Sequence, residues 1–379
     1  MNAPKAGLNP QIDDLSAYVI SGRVLARPQE SRYVSDGRST AEGIQDGVDA
    51  EQLGFRRIFL SERWNLKEAG VLLAAIAART ERIEVASGII TTAARHPLHA
   101  AGLGATMQAA FGPRFVLGLG RGNPGWLTGA GLHMPTYQGL VDYVDILRRL
   151  WAGKQVSYEG PAGHFPHLIL EDADPSLASP EVWFGTLGQP LGAKASAQAF
   201  DGVLLPPVFT PTATRTIVDR LREECRKIGR DPATLRVCQC VITAPDLDDT
   251  ETRTLAHARA VTYLDAPGYG EMLVQLNGWD PAPLDALRNH QQIRDKGAVS
   301  DLLYHRSDLL GPAALVPDSW MAESCAIGSV AECVATLQRF RDAGADEIAT
   351  YGSTPAQNAG LAHAWAAHTT DRVASAVPS

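Results

Sequence analysis

Four short segments carry the side chains that could do chemistry. Glu62-Arg63-Trp64 follows an apolar run, RIFL, and joins a carboxylate, a fixed positive charge and an aromatic plane. Gly88-Ile89-Ile90-Thr91 ends a second apolar run, Gly120-Arg121-Gly122-Asn123 a third, and Thr186-Leu187-Gly188-Gln189 a fourth. Glycines allow a ligand to approach backbone N–H groups, and arginine offers a planar fork that matches phosphate. A turn such as 186–192, running from a strand into a helix, leaves N–H groups free at the helix N-terminus and so makes a phosphate cradle. Each segment also has a purely structural reading. Glu62 and Arg63 could form an ion pair at a rim, 83–91 could be an ordinary buried strand, and glycines suit any tight strand–helix turn.

Two other patterns point elsewhere and carry less weight. Gly120-Arg-Gly122-Asn-Pro-Gly125 fits the dinucleotide fingerprint G-x-G-x-x-G, and Asp142 lies near the distance of its ribose ligand. That motif needs a helix to start within the glycines, whereas Pro124, Gly129, Gly131 and Pro135 predict no helix before about Tyr137. His96 with His99, and His164 with His167, lack an HExxH or a cysteine pair to complete a zinc site, so no metal is expected. His96, beside Arg95, is expected to line the pocket near the third strand's end. Cys225, Cys238, Cys240, Cys325 and Cys333 show no CxxC spacing and read as reduced thiols of a cytoplasmic protein.

The composition limits the partners. The chain has 379 residues, 34 Lys+Arg against 42 Asp+Glu, and a net charge of −8, which argues against a nucleic-acid surface or a polybasic membrane anchor. With 45% hydrophobic and 20% charged residues it is composed like an ordinary globular protein. Residues 96–113 and 122–141 carry no formal charge but contain Pro, Gly and His, so neither reads as a membrane span. The N-terminal residues lack the apolar core of a secretory leader.

The four segments must be held by a regular frame. Apolar runs at 18–22, 57–60, 83–91, 114–120, 182–185, 203–205, 235–243 and 347–351 alternate with helical periodicities. Ser39 with Glu42, and Ser329 with Glu332, have capping-box spacing ahead of two of the helices. Residues 154–170 read as a hairpin around Gly160-Pro161. Eight near-continuous apolar strands alternating with helices predict a (β/α)8 barrel, with an open doubly wound sheet as the rival. Function in such a barrel sits at the carboxyl ends of the strands, where all four segments fall, together with Ser21-Gly22-Arg23, Pro206-Pro207 and Tyr351-Gly352.

Five segments in order, 41–64, 78–97, 111–123, 141–160 and 180–205, with the closing 327–351, resemble the luciferase-like flavin and deazaflavin oxidoreductases. The resemblance implies one barrel domain over 1–379. It has an insertion of about 265–326 before the last strand, and 1–15 and 370–379 are expected as tails. It implies that Ser87-Gly88-Ile89-Ile90 forms the bulge, often with a non-proline cis peptide, that supports the flavin-like ring. Gly88, Ile89, Thr91, Arg121, Asn123, Thr186, Gly188 and Gln189 would then contact cofactor, and Glu62, Arg63 and Trp64 would face the reaction.

Deazaflavin members carry histidine where Arg63 stands. Arginine cannot exchange a proton near neutral pH, so its expected role is to bind an anionic substrate or stabilise charge on the reduced ring. Arg121 matches an arginine that contacts the FMN phosphate in the luciferase branch. The implied function is coenzyme F420-dependent hydride transfer to or from a small organic substrate. The alternatives are an FMN-dependent monooxygenase and a non-catalytic flavin-binding barrel. A homodimer in the cytoplasm, with no nucleic-acid or membrane partner, is expected.

Overall fold

The apolar runs become strands because both faces of each are covered, as parallel sheets require. All six residues of Phe115–Gly120 are buried, as are nine of the ten in Arg236–Pro245. In the computed structural model the described residues are 8–19, 39–62, 67–297 and 300–376. Their barrel strands are β1 Leu15–Val19, β2 Arg57–Leu60, β3 Glu84–Ser87, β4 Phe115–Gly120, β5 Glu181–Gly185, β6 Gly202–Leu205, β7 Arg236–Pro245 and β8 Glu347–Tyr351. Each bonds to the next in chain order, and β8 pairs in parallel with β1, so the sheet closes into a (β/α)8 barrel. The main helices are α1 Thr40–Leu53, α2 Ala69–Ala77, α3 Pro97–Phe111, α4 Tyr137–Trp151, α5 Pro190–Ala199, α6 Pro211–Lys227, α7 Val330–Asp342 and α8 Ala359–Ala376.

Two compact units share this chain. One comprises 57–205 and 217–238, the other 1–56, 206–216 and 239–379. In the first, Arg57 is fully buried, its guanidinium carbon 4.2 Å from the centre of the Trp183 ring and one Nη 2.9 Å from Glu84. In the second, both expected capping boxes form, at Ser39/Glu42 on α1 and Ser329/Glu332 on α7. The hairpin also forms, from Val156–Gly160 and Gly163–Leu168. The five cysteines are buried and make no disulfide. Burial pushes the Cys325 and Cys333 thiols up to about 12.

Several expectations need correction. A helix does begin inside the glycine motif, at Pro124–Gly129. Asn123 caps it, and Pro124 sits at N1, where its missing N–H costs nothing. Asp142, the other part of that fingerprint, lies on α4 and accepts from Tyr158 Oη at 2.6 Å. Helices Asp249–Leu255 and His257–Leu264 follow β7, and short helices from Tyr269–Asn277 to Asp318–Ser324 fill the expected insertion of about 265–326. Ile12 bridges to Phe55 and α8 runs to Ala376, so regular structure enters both expected tails. The end of the expected first strand and Ser21-Gly22-Arg23 lie outside the described residues, as do Arg63 and Trp64.

Candidate functional site

The third strand stops at Ser87 and resumes as the two-residue strand Ile90–Thr91. Between them the Gly88–Ile89 peptide is cis. The break is bonded on both sides: Gly88 N–H donates to the Leu60 carbonyl at 2.8 Å, and Glu62 N–H donates to the Ile89 carbonyl at 3.4 Å. Ser87 Oγ donates to the Gly118 carbonyl and accepts from its N–H, both at 2.9 Å.

Two strand-end glycines have a reason different from ligand approach. A Cβ on Gly120 would lie 2.4 Å from Ile89 Cδ1, and one on Gly185 would lie 2.5 Å from Ile89 Cγ2. Neither distance is compatible with packed carbon atoms. The Ile89 side chain therefore fills the room that side chains on β4 and β5 would need, and fixes the bulge.

Glu62 stands two residues past the end of β2 with its side chain only 4% exposed, and its partner is Arg95. One Arg95 Nη also holds Glu68, whose carboxylate caps α2 by accepting from Val71 N–H at 2.6 Å. Burial works against the Arg95 charge, but the bonds from Glu62 and Glu68 outweigh it and raise its pKa. Burial would raise Glu68, yet the Arg95 and backbone hydrogen bonds lower it. Glu62 thus pairs with a residue 33 positions away. The Arg95 carbonyl accepts from the buried Tyr143 hydroxyl at 3.1 Å, which ties this segment to α4. His96 is exposed; its Nδ1 caps α3 at Leu98 N–H and its ring packs edge-on against Phe165 at 5.1 Å.

The expected phosphate-binding residues fall into two groups. Arg121 lies with its guanidinium carbon 4.3 Å from the centre of the Tyr137 ring, and its Nε donates to the Pro135 carbonyl at 2.8 Å. Its two Nη groups make no hydrogen bond among the described residues. Tyr137 lies beside the start of α5, where a Cβ on Gly192 would come within 3.5 Å of its ring and 2.6 Å of Thr186 Oγ1. Arg121, Tyr137, Thr186 and the α5 terminus are therefore brought together. Gln189, the residue before α5, makes no side-chain cap bond.

The other residues are committed internally. Asn123 Oδ1 accepts from Gly125 and Trp126 N–H groups at 2.9 and 3.2 Å. Thr91 Oγ1 donates to the Arg121 carbonyl at 3.2 Å. The Gly188 N–H donates to Thr186 Oγ1 at 3.2 Å, and its carbonyl accepts from Arg220 at 2.7 Å. Arg95 and Tyr137 were missed from sequence. Arg95 had a usable signal: it stands one residue from His96, close after the third strand.

Fold and site together define a (β/α)8 barrel whose bulged third strand is locked by an isoleucine over two glycines. The chain belongs to the luciferase-like monooxygenase family, whose profile matches residues 21–347. It is 35% identical over 203 residues to an F420-dependent glucose-6-phosphate dehydrogenase of Microbacterium testaceum, covering 50% of this chain and 60% of that protein. It is 23% identical over 302 residues to a 5,10-methylenetetrahydromethanopterin reductase of Methanolobus tindarius, covering 79% of this chain and 86% of that one. Among solved structures, a coenzyme F420-dependent tetrahydromethanopterin reductase from Methanopyrus kandleri superposes with a TM-score of 0.73 at 16% identity, over 93% of this chain and 99% of that one.

Proposed function

We propose that this chain is a coenzyme F420-dependent oxidoreductase that passes a hydride to or from a small organic substrate. The observation that carries the reading is the Ile89 bulge, shaped by Gly120 and Gly185 into a rigid apolar support for a planar ring. The similarity to F420-dependent glucose-6-phosphate dehydrogenases supports the same reading. The deazaflavin, when bound, supplies the hydride chemistry; the protein's share is orientation and electrostatics.

In this reading Ile89 and Gly88 support the ring, and Thr91 braces the loop that carries Arg121. The open Nη groups of Arg121 and the unbonded side chain of Gln189 hold the phosphate. Thr186, Gly188 and Asn123 shape that cradle through their internal bonds rather than through direct donation. Glu62, paired with Arg95, braces the bulge from the other side, with Arg63 and Trp64 proposed to face the substrate.

One observation favours FMN instead. Arg121 keeps its guanidinium edge open where the resemblance implies an FMN phosphate ligand and where deazaflavin members have a small residue. The family description, luciferase-like monooxygenase, fits that second reading. The five cysteines without disulfides support a cytoplasmic protein, and the resemblance supports a homodimer, which gel filtration with light scattering tests.

Equilibrium titration of the purified protein with oxidised F420 and with FMN separates the readings. Tight binding of F420 with weak binding of FMN is expected. Tight binding of FMN alone would favour the monooxygenase, and binding of neither would overturn both.

A further inference from the structure

The loop from β5 into α5 is held from behind by α6. Arg220 stands in the part of α6 that belongs to the same compact unit, and its Nη1 donates to the Gly188 carbonyl at 2.7 Å. It makes no ion pair among the described residues. An arginine committed to a backbone carbonyl, with no carboxylate on it, leaves its charge unpaired beside the loop, where it favours an anion. Ile217, one turn earlier on α6, meets the same glycine: a Cβ on Gly188 would lie 2.2 Å from Ile217 Cγ2. The Gly188 N–H donates to Thr186 Oγ1 at 3.2 Å, and the Thr186 N–H donates to the Leu204 carbonyl at 3.2 Å.

These contacts set the direction of one peptide. The Gly188 carbonyl and the Gln189 N–H share a trans peptide, so they point in opposite directions. Arg220 draws the carbonyl toward α6, and the Gln189 N–H is thereby turned away from α6. That N–H bonds to nothing among the described residues, and neither do the N–H groups of Leu191 and Gly192. The first N–H of α5 with an intrahelical partner is that of Ala193, on the Gln189 carbonyl at 2.8 Å. Pro190 has no N–H, so this terminus presents three donors. It lies beside Tyr137 and Thr186, and Arg121 stacks on Tyr137. Gly188 has a φ of +64°, and glycine tolerates either sign of φ, so the glycine alone does not fix which way the peptide faces. A peptide turned over would present a carbonyl oxygen to an anion in place of an N–H. The bond from Arg220 opposes that reversal.

We propose that Arg220 is a positioning residue for the phosphate-binding loop. By holding the Gly188 carbonyl it keeps the Gln189 N–H turned toward the anion, and it acts through the loop rather than on the anion itself. This rests on the reading of the α5 terminus as the cofactor's phosphate cradle, and it applies to an F420 or an FMN phosphate alike.

The test follows backbone amide resonances of the cofactor-free full chain as inorganic phosphate is added. The amides of Gln189, Leu191 and Gly192 are expected to shift in the wild type. Arg220→Met should weaken the phosphate affinity read at these amides roughly fivefold, the usual worth of one hydrogen bond. Arg220→Lys, whose ammonium can still donate to the carbonyl, should recover most of it. A merely structural role would lower the melting temperature and leave the phosphate affinity of the folded protein unchanged. Part of the difference between wild type and Arg220→Met should persist in high salt, because the orientation of a peptide is not screened. Equal phosphate affinity in wild type and Arg220→Met, no recovery in Arg220→Lys, or a difference that vanishes with salt would overturn the proposal. Wild-type amides that ignore phosphate would overturn the cradle reading and the proposal with it. The expected variant pattern in a protein that does not bind F420 would sink the F420 assignment alone and sustain the role of Arg220.

Discussion

The two units solve different problems at the ends of their strands. In the unit of 57–205 and 217–238, the ends of β3, β4 and β5 are set by backbone and volume. Ile89 occupies the space above Gly120 and Gly185, and Ser87 is locked to Gly118 by two hydrogen bonds. In the other unit, the end of β8 is set by polar side chains reaching in from the helix His257–Leu264: Arg259 and Tyr263 on Tyr351. A rigid apolar support is what an invariant planar ring requires. A hydrogen-bonding cluster carried on a helix after β7 can differ from one enzyme to another without disturbing that support.

The contrast can be broken from the support side first. Arg95→Ala leaves Glu62 buried without its partner, and breaking a buried pair costs about 3 kcal/mol. Chemical denaturation should show that loss, and a variant as stable as wild type would mean that the pair does not brace the bulge. Gly120→Ala and Gly185→Ala push a methyl into Ile89, and overpacking of this kind costs about 1–3 kcal/mol. Ile89→Ala in the same chain should recover part of the loss, and purely additive effects would disprove the steric coupling.

Arg121→Ala should leave stability nearly unchanged, since the side chain gives up only a stack on Tyr137 and one bond to a carbonyl. Its cofactor affinity should fall roughly ten- to a hundred-fold, the worth of a charge-assisted phosphate contact. The difference from wild type should shrink as salt rises. A loss for FMN much larger than for F420 would move the assignment to the monooxygenase branch.

The smallest effect is on pH. Glu68 is lowered below its ordinary value of 4.5 although burial opposes the shift. Its contribution to stability is therefore complete above that value and is lost as pH falls through the lowered one. The side chain is 47% exposed, so solvent screening keeps the contribution under about 1 kcal/mol. Urea melts of wild type and Glu68→Gln should converge below that window, and parallel curves would show that the Arg95 bond carries no linkage.

Regular features of this chain could be read in advance because they depend on local spacing. The eight apolar runs gave the strand order, and Ser39 with Glu42 and Ser329 with Glu332 gave two helix starts. The bulge at Gly88–Ile89 was legible through resemblance alone, since SGII has no local property that separates it from a continuous strand. The partner of Glu62 was not legible. Arg63 is adjacent in sequence, but the carboxylate meets Arg95 through the fold. Likewise Tyr351 is 88 positions from Tyr263, and no periodicity connects them. The helix Pro124–Gly129 was missed because Pro124, Gly129, Gly131 and Pro135 were read as delaying any helix, when the first turn is where proline is tolerated.

The most direct test of the account is a crystal structure of the protein with oxidised F420. It should place the deazaflavin ring against Ile89, with a phosphate oxygen within hydrogen-bond distance of an Arg121 Nη group and the α5 terminus at Gln189. A ring seated away from Ile89, with Arg121 still stacked on Tyr137 and bonding no phosphate, would contradict it.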